Sequence, residues 1–258
     1  MKRVFILALS LLACCAVLPA QNYNKKEVKS LQQFLNQPSA KEKPNYALFK
    51  RTNLNDPSTW EGVTWENGHV TVIDWRGRGL AGDLSLDNFT QLQRVDVTAN
   101  QLTTLSASGC KALTNIEAGR NKLTGINLSG CTALRTLNCF KNRLSDVDLS
   151  SSMGIVSLNC ADNLFVELSV AHADSLTSLN VQGCHLEWLS VDSCTQLKNL
   201  YCGYNRISEL HLIDVPALET LNMDNNSIAQ FYVSGQSNLY YFSCSGNNMS
   251  VLKMTNCG

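Results

Sequence analysis

The side chains best equipped for nucleophilic or metal chemistry in this 258-residue sequence are four histidines and eleven cysteines. A catalytic triad or a metal site needs such groups on one point, and metal sites usually betray themselves by short ligand spacings. The sequence has no CxxC or CxxxxH pair, and no GxSxG, HExxH, phosphate-loop or dinucleotide signature. His69, His172, His185 and His211 fall at unrelated places in the repeat described below, so they are not expected to converge. Asp146, Glu167 and Glu209 do align, which reads as a wet outer surface rather than an acid–base pair. The expectation is a non-enzymatic chain with no catalytic residue, metal or cofactor.

Charge narrows the partners. Lys plus Arg equal Asp plus Glu at 21 each, so no global field draws the chain to nucleic acid or to an anionic membrane. Residues 1–20 read as a signal peptide: Lys2 and Arg3, an apolar run over 4–18, then Pro19 and Ala20, with cleavage near Ala20. Within the same segment, Leu11, Leu12, Ala13 and Cys14 also form a lipoprotein box that would make Cys14 a lipid-anchored first residue. Either reading exports the chain. Export favours disulfides, yet Cys14 and Cys15 belong to the leader, and the nine cysteines that follow are an odd number.

The elements that must position everything else come from a repeat. Rows of 21 residues starting at Arg94 align without a gap through Tyr240, as in NIEAGRNKLTGINLSGCTALR followed by TLNCFKNRLSDVDLSSSMGIV. Seven such periods are the signature of a solenoid. One apolar column runs Val95, Ile116, Leu137, Leu158, Leu179, Leu200, Leu221, Phe242; a second, two residues on, runs Val97, Ala118, Cys139, Cys160, Val181, Cys202, Met223, Cys244. Alternation with period two predicts a short strand in each turn, and recurrence every 21 residues predicts that the strands stack in parallel. A further alternating pair of columns, starting at Leu105 and Ala107, predicts a second extended segment on the opposite, convex wall. Asn100, Asn121, Asn142, Asn163, Asn205, Asn226 and Asn247 form a column where the chain leaves the strand, and their amides can satisfy backbone groups turned into the core. Cys184 interrupts that column. Cys139, Cys160, Cys202 and Cys244 share a column with Val and Met, and Cys110, Cys131, Cys194 and Cys257 share one with Ser, Ala, Val and Gln, so they are expected to act as compact hydrophobes.

A solenoid needs capped ends. Val28, Leu31, Phe34 and Leu35 lie at helical spacing ahead of Pro38, which predicts an amphipathic helix over 24–36; Trp60, Trp65 and Trp75 are expected to complete that cap. At the other end Phe231, Tyr232, Tyr240, Tyr241 and Phe242 thicken the last turns with no polar terminal repeat after them, so a monomer or a weak end-to-end dimer is expected.

Residues pointing out of the strand column are expected to line the concave face. Most are Asn, Ser and Thr; the side chains singled out for partner binding are Asn138, Phe140, Lys141, Tyr201, Tyr204, Asn222, Asp224 and Tyr241. Aromatic rings among small polar groups suit protein recognition first and glycan recognition second. Arg120, Lys122, Arg143 and Arg206, with Lys141, are expected to form a basic rim beside this face.

The segment LRTLNCFKNRL at 134–144 matches the pattern LxxLxLxxNxL, with Cys139 in place of one leucine, and most other rows match comparably. The chain thereby resembles secreted bacterial leucine-rich-repeat proteins of the short-repeat kind, and the internalin group in its asparagine column. It departs from that group in its 21-residue turn and its convex LSGC element, and the segment with DP, WEGVTW and GHV resembles the cap of plant-type repeat receptors without its cysteine pair. The resemblance implies a leucine-rich-repeat superhelix with a parallel sheet on the concave face and an extended or turn-like convex side. Its organisation is then signal peptide 1–20, cap 21–71 with a short helix, and a solenoid of about nine coils over 72–258.

Overall fold

The structure is a computed structural model and describes residues 22–257; residues 1–20, read above as a signal peptide, and Cys14 within them lie outside the described residues. Nine parallel strands form the concave wall, from His69–Asp74 through Arg94–Asp96, Asn115–Glu117, Thr136–Asn138, Ser157–Asn159, Ser178–Asn180, Asn199–Tyr201 and Thr220–Asn222 to Tyr241–Ser243. From Arg94 onward each residue pairs with the one 21 positions away, as in Leu158↔Leu179↔Leu200. The register is that of the apolar columns because a slip by one would turn every leucine outward. Leu137, Leu158, Leu179, Leu200 and Leu221 are fully buried, as are Cys139, Cys160 and Cys202 beside them. Each such leucine contributes about 2–3 kcal/mol by leaving water.

The asparagine column seals the turn after each strand. Asn163 is typical: its Nδ2 donates to Cys139 O in the preceding coil at 3.0 Å and to Cys160 O in its own at 2.9 Å, while its Oδ1 accepts from Leu144 N at 3.0 Å. Asn142, Asn205 and Asn226 repeat this set. Immediately before each ladder position the chain passes through the left-handed region, with φ between 53° and 69° at Ala99, Arg120, Lys141, Asp162, Gly183, Tyr204, Asn225 and Gly246. At Cys184 only a thiol fills the ladder, donating to Cys160 O at 3.3 Å.

The convex wall is less regular than the columns predict. Ala81–Ser85, Gln101–Ser106 and Gly125–Asn127 form one sheet, Glu167–Ser169 and Trp188–Ser190 a second, Gln230–Ser234 and Val251–Thr255 a third. Residues 146–149 and 209–212, where further strands were expected, join no ladder. In the first of these coils Ser151 is not left-handed, whereas Gly109, Gly130, His172 and Ser193 are at the equivalent turn. A 450 Å³ groove lies beside this coil, whereas the second coil keeps the left-handed turn, at Asp214, and still joins no ladder.

The N-terminal helix, Lys25–Asn36, starts at Asn24, whose side chain accepts from Lys26 N and Glu27 N. It buries Leu31, Phe34 and Leu35 on the first coil, where Phe34 stacks on Trp75 at 5.5 Å. Trp60 and Trp75 are buried as expected of a cap, with their ring N–H groups on Asn53 O and Glu61 O. Two features here carry no repeat signal. The strand Val63–Glu66 pairs antiparallel with His69–Asp74, and buried Glu27 accepts from Val70 N at 2.8 Å and meets His69 Nδ1 at 2.9 Å. Among the described residues no helix is long and apolar enough to cross a membrane.

Candidate functional site

The concave face divides into three regions. Around the first coils it is charged: Asp96, on the concave side of its strand, is almost completely buried beneath Arg76 and Arg94. Burial pushes its carboxyl up, but the hydrogen bonds from Arg76 and Thr98 outweigh this and hold it below the usual carboxylate range. Such a pair ties two coils together rather than presenting a free charge.

In the middle coils the structure gathers Phe140, Lys141 and Tyr204 around one groove of about 560 Å³, whose floor is Asn159, Ala161, Asn180, Gln182 and Gly183 and whose lip carries Asp162. Small neighbours create it. Phe140 lies over Gly119, where a Cβ would come within 2.3 Å of the ring, and Arg120 covers it with its guanidinium carbon 5.5 Å from the ring centre. In the coils beyond Phe140, Ala161 and Gly183 leave room that larger residues would fill. Asn159 and Asn180 accept the backbone N–H groups of Ala161 and Gln182 through Oδ1, which leaves each Nδ2 free to donate. Lys141 and Asp162 stand 3.9 Å apart and half exposed, a weak, wet pair. The trough thus offers an aromatic surface at each end, amide donors between them and one charge of each sign.

Asn138, Tyr201, Asn222, Asp224 and Tyr241 lie outside this groove. Asn138 donates to Glu117 at 2.8 Å. Asp224 accepts from Ser243 Oγ and Ser245 N, each at 2.6 Å, and from Asn222 Nδ2 at 3.0 Å, so its carboxylate is already engaged by the next coil. Tyr201 is half-buried on Asn199–Tyr201 and Tyr241 is exposed on the last concave strand. The basic rim is also split. Arg120 and Lys141 precede the asparagine column, while Lys122, Arg143 and Arg206 follow it, and Leu164 and His185 interrupt the latter row.

Sequence reasoning identified the rings but not the groove, which depends on a glycine or alanine one coil away from each ring. The signal was present in the columns: Gly119, Phe140 and Ala161 are successive members of one, and Gly183 and Tyr204 of the next. It also missed that Arg120, Lys141 and Tyr204 stand at left-handed positions, where a side chain costs about 1–2 kcal/mol relative to glycine.

The cysteines are packing groups. Cys139 and Cys160 approach to 3.3 Å between sulfurs, and in the convex column Cys110, Cys131 and Cys194 donate to Leu86 O, Ala107 O and Val170 O of the preceding coil. Burial pushes Cys110 and Cys202 up to about 12 and Cys184 up to about 11, so these thiols stay protonated and unreactive at neutral pH.

Neither a family model nor a curated protein matches the chain. Among solved structures it is similar to the functional domain of InlJ from Listeria monocytogenes, a domain described as including a cysteine ladder, at 32% identity and TM-score 0.57 over 65% of this chain and 40% of that one. It is similar to YopM from Yersinia enterocolitica at 27% identity and TM-score 0.56, over 64% of this chain and 35% of that one. The APL1 leucine-rich-repeat domain shares the fold at 18% identity and TM-score 0.53, over 64% and 45%. The chain therefore spans less than half the length of each. With its 21-residue register, its asparagine ladder and these likenesses, the chain is a leucine-rich-repeat solenoid.

Proposed function

We propose that the chain is a non-catalytic binding scaffold that takes a protein partner in the concave groove between Phe140 and Tyr204. The observation that carries this reading is the groove's construction: two rings held apart by small residues, over amides whose N–H groups are unspent. An extended peptide segment brings what such a trough accepts, carbonyls for the amide donors and side chains for the rings. Lys141 and Tyr204 sit at costly backbone positions, which favours selection for what their side chains touch. Export, by cleavage near Ala20 or lipidation at Cys14, belongs to the same proposal and is read from the mass of the mature N-terminus. The test is capture from native extracellular material on immobilised protein, comparing wild type with Phe140→Ala/Tyr204→Ala. A partner retained by the wild type and lost by the double variant, with the melting temperature unchanged, supports the site; equal recovery overturns it.

A second reading is self-assembly through the last coil. Tyr240 is 76% exposed, Tyr241 and Leu252 each 48%, and the strands Tyr241–Ser243 and Val251–Thr255 pair on one side alone. Concentration-dependent dimers in sedimentation, abolished by Leu252→Lys, would favour it; a monomer throughout would remove it.

A further inference from the structure

The convex wall carries a second aromatic patch that the concave reading does not use. Trp188 is 51% exposed on Trp188–Ser190, and Tyr232 is 58% exposed on Gln230–Ser234. Between them runs the coil 208–212, tied to its neighbour at both ends by Arg206 N→Leu186 O and Ser193 N→Ile213 O but joined to no strand in the middle. That open stretch presents Glu209 and His211, each with most of its side chain in solvent and 3.8 Å apart. A groove of about 320 Å³ lies between this coil and the next, lined by Glu209, His211, Gln230 and Tyr232, while Trp188 stands on the preceding coil, outside that lining.

The column that holds Trp188 reads Gly125, Asp146, Glu167, Trp188, Glu209, Gln230, so a large ring stands among mostly polar residues with half its surface left in solvent. Trp188 and Tyr232 stand two coils apart, about 10 Å along the solenoid axis at the usual strand spacing. Hydrogen-bonding side chains fill that interval, and Tyr232 already shares its hydroxyl with Gln230 at 3.2 Å. Rings alternating with carboxylate, imidazole and amide match a ligand whose units have an apolar C–H face and a polar hydroxyl edge. Glu167, Glu187 and Glu209 surround Trp188 and disfavour an anionic ligand or an anionic lipid surface.

We propose that this convex surface, from Trp188 across the coil 208–212 to the groove at Tyr232, binds a neutral oligosaccharide, with Trp188 and Tyr232 stacking on sugar faces and Glu209, His211 and Gln230 taking hydroxyls. The site is independent of the concave groove. Of the four tryptophans, Trp60 and Trp75 are buried and Trp65 is half-buried, so emission accessible to iodide reports chiefly on Trp188. The full chain is titrated with cellohexaose, laminarihexaose, mannohexaose and chitohexaose while emission and iodide quenching are followed. At least one of these hexasaccharides should shift the emission to the blue, protect it from iodide and saturate. Trp188→Ala, checked for binding by calorimetry, should abolish the interaction; Tyr232→Ala and Glu209→Gln should each weaken it by about tenfold. Phe140→Ala/Tyr204→Ala should leave it intact, which separates failure here from failure of the concave reading. Binding by none of the four sugars, binding that survives Trp188→Ala in a folded protein, or Trp188 emission that depends on protein concentration because a second copy covers it, each overturns the proposal.

Discussion

Replacing Cys184 by asparagine should stabilise the protein, because the substitution completes the one gap in an otherwise continuous ladder. In the neighbouring coils, Leu144 N donates to Asn163 Oδ1 at 3.0 Å and Leu186 N to Asn205 Oδ1 at 3.1 Å. The residue at the same place before Cys184 is Phe165, fully buried, whose N–H has a sulfur to face instead of a carbonyl oxygen. Sulfur is a weak acceptor. The thiol has one hydrogen and donates to Cys160 O at 3.3 Å, whereas each intact asparagine spreads two hydrogens over carbonyls of two coils. Asparagine therefore gains one acceptor and one donor, each worth about 0.5–1.5 kcal/mol net. Ordering the longer side chain takes back part of this, leaving a net gain of about 1–2 kcal/mol. In a solenoid of this length that corresponds to roughly 2–8 °C in melting temperature. Calorimetry and guanidine titration of Cys184→Asn measure the global effect, and hydrogen exchange at the Phe165 amide measures the local one. Phe165 should exchange faster than Leu144 and Leu186 in the wild type and match them in the variant. A Phe165 amide already as protected as Leu144, or a midpoint that does not rise, refutes the reasoning.

The converse change, Asn163→Ala, strands Leu144 N and removes donors from Cys139 O and Cys160 O, and should cost about 2–4 kcal/mol, read as a lower guanidine midpoint at constant slope. The raised thiols predict alkaline weakening. The unfolded chain loses these protons near the ordinary value of 9.0, the folded one only near 11 for Cys184 and 12 for Cys110 and Cys202. Above pH 9 the folded state therefore binds more protons, and stability should fall with rising pH by about 1.4 kcal/mol per unit for each such thiol. Cys202→Val should flatten that slope by one thiol's share in melts run at pH 9–11. Ellman's reagent at pH 8 should label Cys257 and, more slowly, half-buried Cys244 in the native protein, and reach the buried cysteines only in guanidine.

What the sequence made legible follows from what a solenoid demands of it. A leucine placed every 21 residues has one destination, so the strand register and the inward cysteines could be read from columns before any coordinate, and the asparagine column announced its own hydrogen bonds. The cap was legible as a helix through its apolar spacing, but Glu27 reaching Val70 and His69 across the chain has no periodic trace. Alternation assigns Asp96 to the concave face, but its burial comes from Arg76, a residue one coil earlier on the same face, which alternation does not announce. The convex breaks at 146–149 and 209–212 were hidden for a related reason: their side chains keep the apolar pattern while the backbone leaves the ladder.

The same logic explains where binding residues can be found in such a fold. The two strand columns that face the core accept only what fits, so variation there is confined to Leu, Ile, Val, Ala, Cys, Met and Phe. Positions before the asparagine ladder demand a left-handed backbone, which glycine or asparagine supplies at least cost, as at Gly183, Asn225 and Gly246. Lys141 and Tyr204 accept that cost with their side chains exposed, whereas Arg120 lays its guanidinium over the Phe140 ring. Trp188 presents a similar contradiction on the convex wall, being a half-exposed large ring in a column of mostly polar residues. Lys141, Tyr204 and Trp188 are thus places where the fold's preference is overruled, and they are the positions on which the two proposed sites rest.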